Sequence, residues 1–135
     1  MPRTRQIAAI PVRRNARGKV QVLLVTSRET QRWVIPKGWP WPDLPDHEAA
    51  AEEAWEEAGV RGLARRNKIG SFTYDKRRNG KVVRVLVVVY LLEVREMART
   101  WPECAERRRA WFSPAKAANA VEELKLKTLL HTLDT

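Results

Sequence analysis

Five glutamates fall within ten positions, Glu48, Glu52, Glu53, Glu56 and Glu57, in a stretch with no Lys or Arg, inside a chain of formal net charge +10. The alanine-rich run around them favours helix, with Asp46 placed to cap its start and Gly59 its end. At about 3.6 residues per turn, Glu53, Glu56 and Glu57 share one face with Glu52 beside them. Ala50, Ala51, Ala54, Trp55 and Ala58 are left for packing. Glu48/Glu52, Glu52/Glu56 and Glu53/Glu57 are like-charge pairs one turn apart, and each costs an isolated helix about 0.2–0.5 kcal/mol. Three arrangements would offset that cost. The face is solvated, or Arg and Lys reach it from elsewhere in the fold, or it holds a divalent cation, since hard ions such as Mg²⁺ take carboxylate oxygens.

The positive charge sits on either side of this helix. Met1 to Arg28 carries seven basic residues and no acid, and Arg61 to Arg84 carries nine against Asp75 alone. Such blocks suit polyanions, among them nucleic acid, polyphosphate and anionic lipid, or else form a solvated basic surface. The 135 residues, 44% apolar with six Trp, predict one globular domain spanning 1–135. The longest apolar run, Val85 to Leu92, is a buried strand's length and far below the ~20 residues of a membrane span. The basic opening segment has an apolar centre too short for a signal peptide. The single cysteine, Cys104, excludes an internal disulfide and fits a reducing cytoplasm. Neither a membrane partner nor a zinc site, P-loop or Rossmann glycine pattern is expected. His47 and His131 read as isolated surface residues.

The elements that must position the glutamates follow from periodicity. "IAAIPVRR" and "KVQVLLVTSR" alternate as strands around a turn at "NARG", and "RWVIP" is a short strand ending at Pro36. "KGWPWPDLP", with its three prolines, is expected to be a stiff loop without regular structure. "IGSFTYDKRRNGKVVRVLVVVYLLEV" predicts a strand, a basic turn at Asn79-Gly80 and a long buried strand. "RRRAWFS" adds a strand, and "SPAKAANAVEELKLKTLLHTL" predicts a closing helix started by Ser113 and Pro114. The order implies a mixed α/β or α+β domain.

Spacing then narrows the chemistry. Gly38 lies fifteen positions before Glu53, and the segment continues Glu53-Ala54-Trp55-Glu56-Glu57-Ala58-Gly59-Val60. This resembles the Nudix box, a glycine, a loop and a helix ending in Arg-Glu-apolar-any-Glu-Glu-any-Gly-apolar, preceded here by "WVIPKG". Two positions depart from it: Leu44 stands where the box has a loop-supporting glutamate, and Glu52 where it has an arginine that orients a neighbouring carboxylate.

The resemblance implies a Nudix-type α/β/α sandwich with a mixed central sheet. It also implies a hydrolase that cleaves a diphosphate linked to another group with the help of Mg²⁺ or Mn²⁺. Carried onto this chain, Glu53, Glu57 and the Gly38 carbonyl would hold metal and Glu56 would act as general base or as a further metal ligand. The order of "RQIAAIPVRR", "VLLVTSRETQRWVIPKG", "EEAGVRG" and "RRRAWFSPAKAANAV" is similar to the diphosphoinositol polyphosphate phosphohydrolase branch and its bacterial relatives. That likeness implies substrate-binding roles for Arg5, Ser27, Arg28, Lys37 and the run Arg107-Arg108-Arg109. Charge alone adds Arg84 and the turn from Lys76 to Lys81. In that branch a further basic residue stands where this chain has Gln6. The implied partner is a polyanionic phosphorylated small molecule, of the diphosphoinositol polyphosphate or diadenosine polyphosphate class. An RNA 5′-pyrophosphohydrolase, or a Nudix-fold module that binds phosphate or nucleic acid with weakened catalysis, stays open, as does the oligomeric state. Trp39 and Trp41 read either as a stacking surface or as packing within a stiff loop.

Overall fold

The structure, a computed structural model, describes residues 4–133. Its elements in chain order are β1 (Arg5–Arg14), β2 (Val20–Thr26), β3 (Trp33–Val34), β4 (Lys37–Gly38), α1 (Asp46–Ala58), β5 (Val60–Ala64), β6 (Gly70–Arg78), β7 (Lys81–Met97), β8 (Arg109–Phe112), α2 (Pro114–Ala120) and α3 (Leu124–His131). All eight strands join one sheet, whose main path runs β3-β2-β1-β7-β5; β4 pairs with β1, β6 with β7 and β8 with β2. β1 and β7 run parallel, in the register Ile7 to Val88, and the other pairings are antiparallel, so the sheet is mixed.

The alternation of side chains across a strand divides the core in two. Ile7, Ala9, Leu23, Val25, Val88 and Leu92 face α1, which meets them with Ala49, Ala50, Ala54 and Ala58. Ala8, Ile10, Val22, Leu24, Val85, Val87 and Val89 face the other way, onto Ala117, Val121, Leu126 and Leu130 of the α2–α3 layer. The centre of the sheet is buried on both faces, which is why its strands are near-continuous apolar runs rather than alternating ones. The result is the α/β/α sandwich with a mixed sheet. Among the described residues, no helix is long and apolar enough to cross a membrane.

Four local expectations are corrected. Lys37 and Gly38 form a short strand against Ala8 and Ile7; the prolines that disqualify the loop begin only at Pro40, so these two residues keep usable backbone groups. Pro45, not Asp46, is the N-cap of α1, without a side-chain cap bond. Asp46 opens the helix instead, where its charge still suits the positive end of the helix dipole, and it pairs with Arg5. β5 has no counterpart in the sequence reading, because "VRGLA" is short, carries a glycine and exposes three of its five residues. The closing helix is two helices, parted where Val121 turns extended (φ −89°, ψ 163°) and enters the core. At its start Ser113 accepts from the Lys116 N–H, as its sequence position predicts. The C-terminal end of α1 also matches: Gly59 has φ +67°, and a Cβ there would strike the Trp101 ring at 2.5 Å.

Candidate active site

β4 brings the start of the loop against the middle of α1. Gly38 touches the Glu53 carboxyl so closely that a Cβ on Gly38 would lie 2.4 Å from Glu53 Cδ. Any side chain at position 38 would displace the Glu53 carboxyl from its present place, which fits glycine at this point of the strand. Trp41, three residues on, donates its indole N–H to Glu53 Oε2 at 3.0 Å. One turn further along α1, Glu57 is only 8% exposed. Its nearest cation is Arg107, with Nη2 at 3.8 Å from Glu57 Oε2.

Arg107 is held on two other sides. Its Nη1 donates to the Thr26 carbonyl at 3.0 Å and its Nε to Glu103 Oε1 at 2.7 Å. The Glu103 N–H in turn donates to the Glu56 carbonyl at 3.0 Å, tying this segment to α1.

The carboxyls lack enough positive charge. Burial pushes Glu57 up to about 8 from the usual 4.5; Arg107 opposes the rise, Glu53 adds to it and Lys37 opposes it. Burial also raises Glu53, with hydrogen bonds to Trp41 and Glu57 opposing and the Glu56 and Glu103 charges adding. Burial lowers the neighbouring Lys37 ammonium, against the pull of Glu57 and Glu123. Desolvation therefore outweighs the available pairing at all three groups.

Among the described residues, no three or more His, Cys, Asp or Glu side chains are gathered into a metal cage. The structure joins two carboxylates, Glu53 and Glu57, with Gly38 alongside. Their character fits Mg²⁺ or Mn²⁺: both are hard oxygen donors, both are raised chiefly by burial that the nearby cations do not offset, and the backbone of Gly38 lies directly against the Glu53 carboxyl. Glu52 does not join them. It points to the opposite side of α1, 3.9 Å from Arg61, whose guanidinium lies 4.2 Å from the centre of the Trp55 ring.

Glu57 and Gly38 open onto a cleft of about 440 Å³. Its basic lining comes from Arg28, Arg32, Lys37, Lys76 and Arg107, and Ser27, Tyr74 and Trp39 complete the wall. Of the substrate-binding residues expected from sequence, Ser27, Arg28, Lys37 and Arg107 therefore meet at this cleft. Ser27 Oγ shares a 2.5 Å hydrogen bond with Thr30. Arg28 is more than half exposed and lies 4.0 Å from Glu103 and 3.8 Å from Glu106. The Lys37 ammonium lies 4.9 Å from the centre of the Tyr74 ring.

Four expected residues lie elsewhere, Arg5, Arg84, Arg108 and Arg109. Arg5 pairs with Asp46 at 2.5 Å, at the start of α1. Arg84 is mostly exposed and pairs with Asp75 on the neighbouring strand. Arg109 donates to the Ala58 and Ala98 carbonyls at 2.8 and 2.5 Å and covers the Trp101 ring, so it closes the C-terminal end of α1. Arg108, just before β8, lies apart from it, with its guanidinium 5.9 Å from the centre of the Trp33 ring.

The residues missed are Arg32, Tyr74, Glu103 and the donor role of Trp41. Arg32 reaches Glu123 at 3.0 Å while its buried Nη1 has no hydrogen-bond partner among the described residues. Gln6, at the position where the related branch has a basic residue, is buried and accepts from the Tyr74 hydroxyl at 2.8 Å. No local pattern announces these contacts, since each joins distant parts of the chain. His47 is also less free than its sequence position suggests: its side chain is 18% exposed and it leans on Tyr90.

Glycine-backed carboxylates on one helix, a basic cleft and an α/β/α sandwich together define a class. The NUDIX domain model matches residues 3–132, and the chain belongs to the Nudix family. Over 114 residues it is 33% identical to diphosphoinositol polyphosphate phosphohydrolase 3-beta of Homo sapiens, covering 82% of this chain and 64% of that protein. Over 105 residues it is 32% identical to the mitochondrial Nudix hydrolase 13 of Arabidopsis thaliana, covering 73% and 52% respectively. The chain thus spans between about half and just under two thirds of these curated relatives. Two solved structures share the fold. A NUDIX hydrolase from Nitrosomonas europaea matches with a TM-score of 0.72 at 18% identity, over 96% of this chain and 87% of the other. A C. elegans Ap4A hydrolase binary complex matches with a TM-score of 0.68 at 21% identity, over 95% and 93%.

Proposed function

We propose that residues 1–135 form a single Nudix hydrolase domain that cleaves a diphosphate bond in a highly phosphorylated small molecule, with Mg²⁺ or Mn²⁺ as cofactor. The substrate classes are diphosphoinositol polyphosphates and diadenosine polyphosphates. One observation carries the reading: Glu57, hydrogen-bonded to Glu53 one turn earlier on α1, opens onto a cleft whose other charged lining is predominantly basic. Glu53, Glu57 and the Gly38 carbonyl hold the metal, which supplies neutralisation of phosphate oxygens and activation of water when bound. Glu56 acts as general base, and Glu103 fixes its backbone through the hydrogen bond to its carbonyl. Lys37, Arg28, Arg32 and Lys76 receive the remaining phosphates, with Arg offering a bidentate fork and Lys a point charge. The relatives' names support this substrate class. The lone Cys104 supports a reducing compartment, and we place the protein in the cytoplasm.

The basic β6–β7 hairpin favours a second reading, removal of pyrophosphate from a 5′-triphosphorylated RNA end. Lys76, Arg78 and Lys81 share its cleft-side face by strand alternation and cross-strand register, and the Arg78 guanidinium lies 5.6 Å from the centre of the Trp39 ring. The two readings part in one experiment: product formation with Mg²⁺, Mn²⁺ or chelator, beside Glu56→Gln, read as inorganic phosphate from diphosphoinositol polyphosphate, nucleotides from diadenosine polyphosphates and pyrophosphate from triphosphorylated RNA. Metal-dependent turnover of the small molecules, lost in the variant, is the expected result. Preference for RNA selects the second reading. Ligand binding without metal and without turnover of any substrate contradicts both and points to a binding module.

A further inference from the structure

We propose that Arg107 and Trp41 are positioning residues, which fix the Glu57 and Glu53 carboxylates in the arrangement where one cation is shared between them. The proposal rests on the metal-dependent reading above and assigns the parts of the site that this chain's departures from the box leave open. Glu52 faces Arg61 on the far side of α1 and gives the pair no cation. Leu44 is apolar and packs with Trp41 against the α1-side core, so it gives no hydrogen bond either. Orientation must come from elsewhere, and two side chains outside those positions reach the carboxylates.

Arg107 is built as a fixed charge. Its side chain is 9% exposed, and the Thr26 carbonyl and Glu103 carboxylate hold two of its nitrogens. A guanidinium so anchored cannot swing toward a substrate phosphate without breaking both bonds. The third nitrogen stands 3.8 Å from Glu57 Oε2, an ion-pair distance beyond a hydrogen bond. Glu57 is attracted and oriented, yet its lone pairs stay uncommitted to Arg107.

Trp41 does the matching work for Glu53. An indole N–H donates once and accepts nothing, so it orients a carboxylate without competing for a cation. It engages Oε2 and leaves Oε1 to other partners, while Gly38 closes the opposite side. Each carboxylate thus has one outside group that orients it, an indole donor for Glu53 and an ion-paired guanidinium for Glu57, and the two come from different parts of the chain: the loop before α1 and the segment entering β8. Leu44 gains a purpose in this arrangement, since it packs on the same core as Trp41 and its backbone N–H donates to the Trp41 carbonyl at 3.3 Å, which braces the loop.

The test is Mn²⁺ titration of the metal-free full-length chain by electron paramagnetic resonance and calorimetry, for wild type, Arg107→Gln and Trp41→Phe. Metal-free melting temperatures and kcat and KM at saturating metal are measured alongside. Both variants are expected to weaken Mn²⁺ binding by about tenfold or more and to lower kcat with KM unchanged. Trp41→Phe keeps the ring and loses the donor, so it reads the proposal even if Arg107→Gln folds poorly. Wild-type Mn²⁺ affinity in Trp41→Phe overturns the Trp41 assignment. A rise in KM alone in Arg107→Gln, with Mn²⁺ affinity intact, overturns the Arg107 assignment and makes it a substrate contact. Failure of wild type itself to bind Mn²⁺ overturns the metal-dependent reading and this proposal together, whereas normal wild-type binding with unaffected variants removes only this one.

Discussion

The two walls of the cleft are built to opposite specifications. On the acidic side, Glu57 is buried and Glu53 half-buried, and Gly38, Trp41 and Arg107 hold them, so each carboxylate has little freedom. On the basic wall, Arg28 is more than half exposed and Lys76 lies on a projecting hairpin. The difference matches what the proposed function would ask of each wall. A cation site requires oxygens at fixed places, and burial raises the carboxyls until a cation satisfies them. A polyphosphate is large and already highly charged, so long solvated side chains suffice to attract it and follow its shape. Chemistry is over-determined here and recognition is permissive.

Breaking the acidic wall should have the largest effect. Glu57→Gln is expected to lower kcat by about a thousandfold or more, within the range for loss of a group central to the chemistry. The same variant reads the cost of the buried charge. Glu57 is held near 8 when folded against 4.5 ordinarily, so the folded metal-free chain keeps a proton that the unfolded chain releases. Its contribution to stability is full below about 4.5 and is lost as pH rises toward about 8. Melting temperatures in chelator should fall across that window for wild type, by the equivalent of a few kcal/mol, and fall less for Glu57→Gln. Added Mn²⁺ should raise the wild-type melting temperature more at the alkaline end than at the acidic end.

Gly38→Ala tests the contact behind Glu53. The new methyl would displace the carboxylate while β4 needs little else to change, so activity should drop by roughly ten- to a hundredfold with the far-ultraviolet circular dichroism unchanged. On the basic wall, Arg28→Ala and Lys76→Ala should each raise KM severalfold and flatten its dependence on salt, with kcat spared.

The smallest catalytic effects belong to arginines outside the cleft. Arg109→Ala should cost about 1–3 kcal/mol of stability by leaving the Ala58 and Ala98 carbonyls short of a donor, with KM unchanged. Arg84→Ala, at an exposed pair with Asp75, should stay within about 0.5 kcal/mol of wild type.

Much of the acidic wall was legible in the sequence, because it is one helix and one glycine at fixed spacing. Period and spacing place Glu53 and Glu57 together, and the glycine's reason appears only as the contact with Glu53. The layered α/β/α architecture with a mixed sheet followed from the family resemblance and strand periodicity gave the pieces, while the strand order is seen only in the structure. The basic wall was legible only as charge. Arg107 and Arg109 look alike in sequence, yet one faces Glu57 and the other closes the end of α1, a distinction set by strand direction and by partners more than 40 residues away. Trp41 was hidden for the same reason: its donor role depends on where a proline-rich loop folds back. Arg32 and Tyr74 carry no local signature of the cleft they line.

Mn²⁺ binding to the substrate-free chain at neutral pH, compared among wild type, Glu53→Gln and Glu57→Gln, tests the central claim most directly. The glutamate pair as a cation site predicts one affinity class in wild type that is lost in both variants. Equal Mn²⁺ affinity in all three proteins would contradict it.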